Sequence, residues 1–230
     1  MRRAGDLFRE GILASNRANP IGEGAYGVVY QSDVPGRVIK QATFDDKYGK
    51  MTDEANLQAI AADMGIAPRV TSLERFPGGI GNRIEMDRVS SNYEPVRALD
   101  VMDSNFNNVA DPKDRLRIAQ QIGMLALKGV DLQDRQAANV FRHKMTGRPM
   151  QIDFGIAGRI EGSDKAQRLA EATADGFTAA GIPDMGDILR ALVADALEGG
   201  DTAAAMDIAR QGFSRLQKIK DPLKENVSFF

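Results

Sequence analysis

The sequence predicts an α+β fold in two lobes, β-rich over residues 21–89 and mostly helical over 90–230. Three observations carry that prediction. Short β-branched runs separated by Gly/Pro turns crowd the first part of the chain. One segment among them changes to helical period. Beyond residue 90 helical patterning takes over, and the join falls near residues 86–92.

Residues 1–20 read as an N-terminal extension, with a short helix over 5–15 that sets Leu7, Phe8 and Ile12 on one side. "AYGVVYQS" and "GRVIKQA" are strands joined by the turn "DVPG", a hairpin. "MTDEANLQAIAADMG" places Leu57, Ile60, Ala61 and Met64 on one helical face and stops at Gly65. "APRVTSLERF" and "NRIEMDRVS" are two more strands around the turn "PGGIG", so four or five strands and one helix fill 21–89. Asp111-Pro112 then supplies a cap and a first-turn proline for "DPKDRLRIAQQIGMLALKG", which Gly129 closes. "ANVFRH" and "PMQIDFG" flank the turn "KMTGR" as a second small hairpin. The last seventy or so residues read as two or three helices. One starts at Asp184 and stops at Gly199-Gly200, and the next starts at Asp201.

Composition narrows the chemistry. A chain of 230 residues, 43% apolar and 27% charged, can bury a substantial core. Thirty basic against 32 acidic residues give no electrostatic footprint for nucleic acid. The absence of cysteine removes disulfides, thiolate metal sites and thiol nucleophiles, and one histidine argues against His clusters and Ser-His-Asp triads. Chemistry must rest on Asp, Glu, Lys, Asn and backbone groups. No targeting segment and no membrane-spanning run is legible, which leaves a cytoplasmic location or a signal-peptide-independent export route. The chain is expected to be a monomer that does not insert in membranes.

"IGEGAYGVVYQ" sets Gly22, Gly24 and Gly27 in a G-x-G-x-x-G frame, followed by Val29. Glycines let a backbone approach phosphate closely, and they equally make a tight turn between strands. Lys40, in "VIK", points either inward toward phosphates or outward to water. Glu54 lies three positions before Leu57, beside the apolar face of its helix, where it either pins a strand lysine or is solvated. In "DLQDRQAANVF", Asp134 and Asn139 are five apart on a loop, and Asp153 follows after the small hairpin, in "IDFG". Asn and Asp brought together by a hairpin make hard oxygen ligands suited to magnesium held with nucleotide phosphates. Asp134 then faces an acceptor hydroxyl as base or orienting group. Loop Asp and Asn are also ordinary turn-formers, so each piece alone leaves both readings open. The ordered set points to phosphoryl transfer.

As a set, these residues resemble the protein kinase superfamily from about residue 21 to 159. "GEGAYGVV" is similar to its Gly-rich loop, "RVIK" to V-A-I-K, Glu54 to the αC glutamate, Asp134 to Asn139 to the catalytic-loop D-x-x-x-x-N, and Asp153-Phe154-Gly155 to D-F-G. "IEMDRV" resembles the fifth strand and hinge, here 86–89. The resemblance implies that Gly22, Gly24, Gly27, Val29 and Lys40 bind ATP, with the Asp87 carbonyl and Val89 amide on adenine. It further implies Mg2+ on Asn139 and Asp153, with Asp134, Lys40 and Glu54 as the catalytic set and 132–139 as the catalytic loop. The implied activity is transfer of the γ-phosphate to a Ser or Thr hydroxyl of a protein substrate.

Departures shape that expectation. Leu132-Gln133-Asp134 stands where the family has H-R-D, so the arginine that reads a phosphorylated activation loop is missing and constitutive activity is expected. Gln136 replaces the usual Lys or Arg and removes a cation from the transferring phosphate. No A-P-E motif follows "IDFGIAGR", and "IEGSDKAQRLAEATADGF" looks helical, which implies a reduced helical lobe without a full activation segment. Such compactness is similar to minimal bacterial or phage kinases, among them HopBF-like type III effectors, whose protein substrates belong to a host. The alternatives are a kinase-fold enzyme that phosphorylates a small molecule or transfers AMP, and a pseudokinase binding module. Outside the set, His143 is expected as a solvated turn residue, Met124 and Met150 as core filler, and Glu94 as either a ribose contact or an exposed loop charge.

Overall fold

The structure, a computed structural model, describes residues 20–24, 27–43, 50–76, 81–99 and 109–220. The expected helix over 5–15, most of the "PGGIG" turn, and Ala25-Tyr26 of the glycine frame lie outside these residues. The fold is α+β, and the chain divides into two compact units: Met1–Asp63 with Ala67–Ser90, and Met64–Ile66 with Ser91–Phe230.

The first unit is a five-stranded antiparallel sheet with one helix. Its strands are β1 (Pro20–Gly24), β2 (Gly27–Gln31), β3 (Arg37–Gln41), β4 (Val70–Glu74) and β5 (Arg83–Asp87), in spatial order β1-β2-β3-β5-β4. The glycine frame is thus a hairpin in its own right, with Gly24 opposite Gly27 and Gly22 opposite Val29. The sequence left this frame open between a phosphate-covering loop and a tight turn between strands, without marking residues 20–24 as a strand. Their apolar content is too low to signal a strand, and all five are exposed at the sheet edge. Helix α1 (Lys50–Asp63) lays Met51, Ala55 and Leu57 inward. Met51 and Ala55 pack with Ala42 and Ile84, and Val70, Leu73 and Met86 close the cluster. Gly65 follows at φ 65°, a left-handed conformation that glycine adopts without penalty.

The second unit contains helices α2 (Pro112–Leu127), α3 (Gly162–Ala179), α4 (Pro183–Glu198) and α5 (Thr202–Leu216). Asp111 caps α2 by accepting the Lys113 amide at 2.8 Å, and Asp201 caps α5 through the Ala204 amide at 2.9 Å. Helix α4 begins at Pro183, one residue before the expected Asp184, because proline's missing N–H costs nothing in a first turn. Helix α3 packs against α2, α4 and α5. Gly123 is what lets α5 approach α2, since a Cβ there would overlap the Phe213 ring.

Two small sheets complete this unit. Strands β8 (Val140–His143) and β9 (Pro149–Gln151) form the expected hairpin, and β6 (Tyr93–Pro95) adds a third strand beside β8. That third strand escaped sequence reading because its pairing partner lies nearly fifty residues away. It also alters two side chains. Glu94 ion-pairs with Arg142 at 2.9 Å. His143, expected to be solvated, is half-buried with its ring edge-on to Tyr93 at 5.0 Å. Its Nδ1 accepts the Met145 and Thr146 amides at 3.3 Å, closing the turn. Met124 and Met150 are half-buried, at the margin of the core. Strands β7 (Val130–Asp131) and β10 (Gly158–Arg159) pair antiparallel on either side of the Asp134 and Asp153 segments.

Candidate functional site

In the first unit the decisive residue is Lys40. Side chains alternate along a strand, and Lys40 shares the inward face of β3 with Val38; the two are 6% and 7% exposed. Its Nζ meets Glu54 Oε1 at 2.6 Å, with Glu54 only 3% exposed. Glu54 reaches it because it lies on the buried face of α1 with Met51, Leu57 and Gln58. Gln58 in turn donates to the Pro68 carbonyl at 3.0 Å. Burying two charges costs several kcal/mol per ion, and an apolar pair of similar size would stabilise the sheet as well or better. The pair is therefore poorly explained by stability alone.

Lys40 is also next to the glycine hairpin, directly across β2–β3 from Val29. Gly27 has a packing reason to be glycine: a Cβ would lie 2.7 Å from the Gln41 carbonyl oxygen. Gly22 has none of that kind, since a Cβ would meet only Val29 at an ordinary 3.9 Å. Further along the sheet, hydrogen bonds fix the exit of β5. The Asp87 amide donates to the Arg69 carbonyl at 2.9 Å and the Arg88 amide to the Gly36 carbonyl at 2.8 Å. Neither bond uses the Asp87 carbonyl or the Val89 amide.

In the second unit, Asp134, Asn139 and Asp153 are held by apolar pegs. Val130, Leu132, Ala137 and Val140 along one segment and Phe154 on the other are all almost fully buried. Between the pegs Asp134 is half-buried. The β8–β9 hairpin brings the other two residues together: Val140 opposes Gln151, and the Asn139 carbonyl accepts the Ile152 amide at 2.8 Å, one residue before Asp153. Asp153 has φ 60°, in the left-handed region, and among the described residues it is the one non-glycine residue there. Such a conformation costs about 1–2 kcal/mol for a residue with a Cβ. Its Oδ1 accepts the Gly155 amide at 3.2 Å.

The Asn139 side chain is 8% exposed and its Nδ2 is buried without a hydrogen-bond partner among the described residues. An unmade buried hydrogen bond costs about 1–3 kcal/mol. That NH2 group is a donor and calls for an acceptor, whereas a cation would use the Asn139 Oδ1 together with the Asp153 carboxylate, a pair of hard oxygens that fits magnesium. Among the described residues no three His, Cys, Asp or Glu side chains gather as a metal site. A cation here would depend on this sparse pair and on ligand oxygens, which is how magnesium is commonly bound with phosphates.

Sequence reading missed the charges behind this loop. Asp131, 4% exposed, lies 3.6 Å from the Arg135 guanidinium and 3.3 Å from Arg168 on α3. Arg135 also reaches Asp175 at 3.6 Å, and Asp175 meets Arg190 of α4 at 3.0 Å. Burial raises the Asp175 carboxyl above the usual range, and Arg135 and Arg190 oppose that shift. One signal was available: an acid between Val130 and Leu132, in a run that otherwise reads as buried. Gln136 was read only as a missing cation, yet its Nε2 donates to Asp134 Oδ2 at 3.0 Å.

The fold and these residues define an α+β protein with a buried Lys–Glu pair beside a glycine hairpin in one unit. The other unit carries an Asp/Asn cluster. No protein-family model matches the chain, and no curated protein matches it either. Among the described residues no helix is long and apolar enough to cross a membrane.

Proposed function

We propose that the chain is an ATP- and magnesium-dependent phosphotransferase with a two-lobed, protein-kinase-like fold and a reduced helical lobe, acting on a Ser or Thr hydroxyl of a protein. The observation that carries this reading is the Lys40–Glu54 pair, at 2.6 Å inside the sheet whose edge is the glycine hairpin. Gly22, Gly24 and Gly27 let the hairpin backbone cover the phosphates beside Val29. Lys40, oriented by Glu54, holds the α- and β-phosphates. The Asp87 carbonyl and Val89 amide bind adenine. Asn139 and Asp153 hold magnesium, which when bound neutralises charge on the phosphate oxygens. Asp134 orients the acceptor hydroxyl and takes its proton. With Gln133 where the family's phosphate-reading arginine would stand, and without a long activation segment, the enzyme is constitutively active.

One observation favours a second acceptor class. The chain runs from Gly155 through the short strand β10 directly into α3 at Gly162, which leaves no length for a peptide platform. A small-molecule hydroxyl, or AMP transfer in place of phosphate, fits that economy. Incubation with ATP labelled at γ or at α, in magnesium, with a generic basic protein as acceptor, separates these readings. Label from γ that is lost in Asp153→Ala is the expected result. Label from α points to nucleotidyl transfer. Binding of Mg-ATP without transfer of either label refutes the protein-kinase reading.

A further inference from the structure

The Gln136–Asp134 contact has no role in the scheme above. Its geometry is built in. Both side chains are half-buried, and the Gln136 carbonyl accepts the Asn139 amide at 3.0 Å, opening the short turn Ala137–Asn139. On the other side, Arg135 Nε donates to the Leu132 carbonyl at 2.8 Å while its guanidinium spans Asp131 and Asp175. The backbone on both sides of Asp134 is therefore tied down, and Gln136 rises from a fixed base.

A carboxylate turns easily about its terminal torsion, which is broad and twofold. A donor on one oxygen stops that rotation and aims the other. A neutral amide does this without cancelling charge, so the carboxylate remains a full anion as a hydrogen-bond acceptor. We propose that Gln136 is the positioning residue for Asp134: its side-chain amide holds Oδ2, so that Oδ1 receives the proton of the acceptor hydroxyl. The inference rests on the phosphotransferase reading. In the step it serves, the acceptor oxygen bonds to the γ-phosphorus and the bond from that phosphorus to the β,γ-bridging oxygen breaks. The electron pair leaves with ADP, and the hydroxyl proton passes to Asp134. Gln136 puts no positive charge on the transferring group, which distinguishes it from a lysine at the same place.

The test combines turnover with a readout of the contact itself. Gln136→Ala should lower kcat about tenfold to a hundredfold with KM for ATP nearly unchanged. Gln136→Lys, which restores a donor, should recover most of that loss, and Gln136→Glu, which sets anion against anion, should be worse than Ala. In side-chain amide NMR spectra of the unliganded chain, the Gln136 proton donated to the carboxylate should be shifted downfield, widening the ordinary separation of the two NH2 protons, and that separation should fall back to the ordinary value in Asp134→Ala. An ordinary Gln136 separation that Asp134→Ala leaves unchanged, or wild-type kcat in Gln136→Ala, overturns the inference and leaves the phosphotransferase reading standing. A widened pair in a wild-type chain that binds Mg-ATP but transfers nothing sinks the phosphotransferase reading, and the positioning role with it.

Discussion

Lys40 and Asn139 are both polar side chains sunk among apolar neighbours, and the chain treats them in opposite ways. Lys40 has its counter-charge supplied from within the same unit, by Glu54 at 2.6 Å. Asn139 keeps a buried amide nitrogen that the described residues leave unbonded, and it stands beside Asp153, whose backbone is held at φ 60°. The first site is complete before any ligand arrives. The second carries an unmet hydrogen bond and a strained residue, the pattern expected where a ligand completes the arrangement.

The largest test of that contrast is the Lys40–Glu54 pair. Removing one partner strands a buried charge, so Glu54→Leu or Lys40→Met should each cost about 3–5 kcal/mol of stability. The double variant Lys40→Met/Glu54→Leu should recover most of it, as measured by urea unfolding. A double variant as unstable as the singles would mean that the pair is worth more to the fold than its burial cost implies. The second site should behave differently. Asn139→Leu should cost far less, and Mg-ATP at about a hundred times its Kd should stabilise the wild type by about 2.7 kcal/mol. That gain should vanish in Asp153→Ala.

A smaller effect isolates the strain. Asp153→Gly should exceed Asp153→Ala in stability by about 1 kcal/mol, because glycine takes a left-handed conformation without a Cβ penalty. Equal stabilities would show that the backbone relaxes there. The smallest effect concerns pH and confines itself to the sheet. The Ser32 hydroxyl bond, together with bonds from Thr71 and Arg37, holds the Glu85 carboxyl below its usual 4.5. The unfolded chain then binds more protons than the folded one just below that value, so this contribution is present above pH 4.5 and fades as pH falls through the folded pKa. Glu85→Gln should flatten the fall of Tm below pH 4.5.

Much of this was legible because it is local. Asp111 and Asp201 cap helices through amides two and three residues away. The β8–β9 hairpin follows from two apolar runs and a Gly-containing turn, and with it comes the meeting of Asn139 with the Asp153 segment. Gly22 and Gly27 were legible as a pair but not as different: one admits a Cβ and the other sits against the Gln41 carbonyl. What stayed hidden depends on distant partners, as with β6, which pairs with β8 from nearly fifty residues away.

By itself, then, the sequence determined the order of the longer strands and the helices, the caps at Asp111 and Asp201, and the spacing of Asp134, Asn139 and Asp153. Backbone sterics and side-chain period act within a few residues. Tertiary structure decided which way charge points. The same β-strand pattern permits Lys40 to face water or core, and Glu54, arriving on a helix fourteen residues later, makes the inward choice tolerable. The Asp131–Arg135–Asp175 chain was decided likewise, because α3 had to pack before its acid could meet the loop arginine. A buried charge is stable only beside its partner, and long-range folding alone puts the partner there.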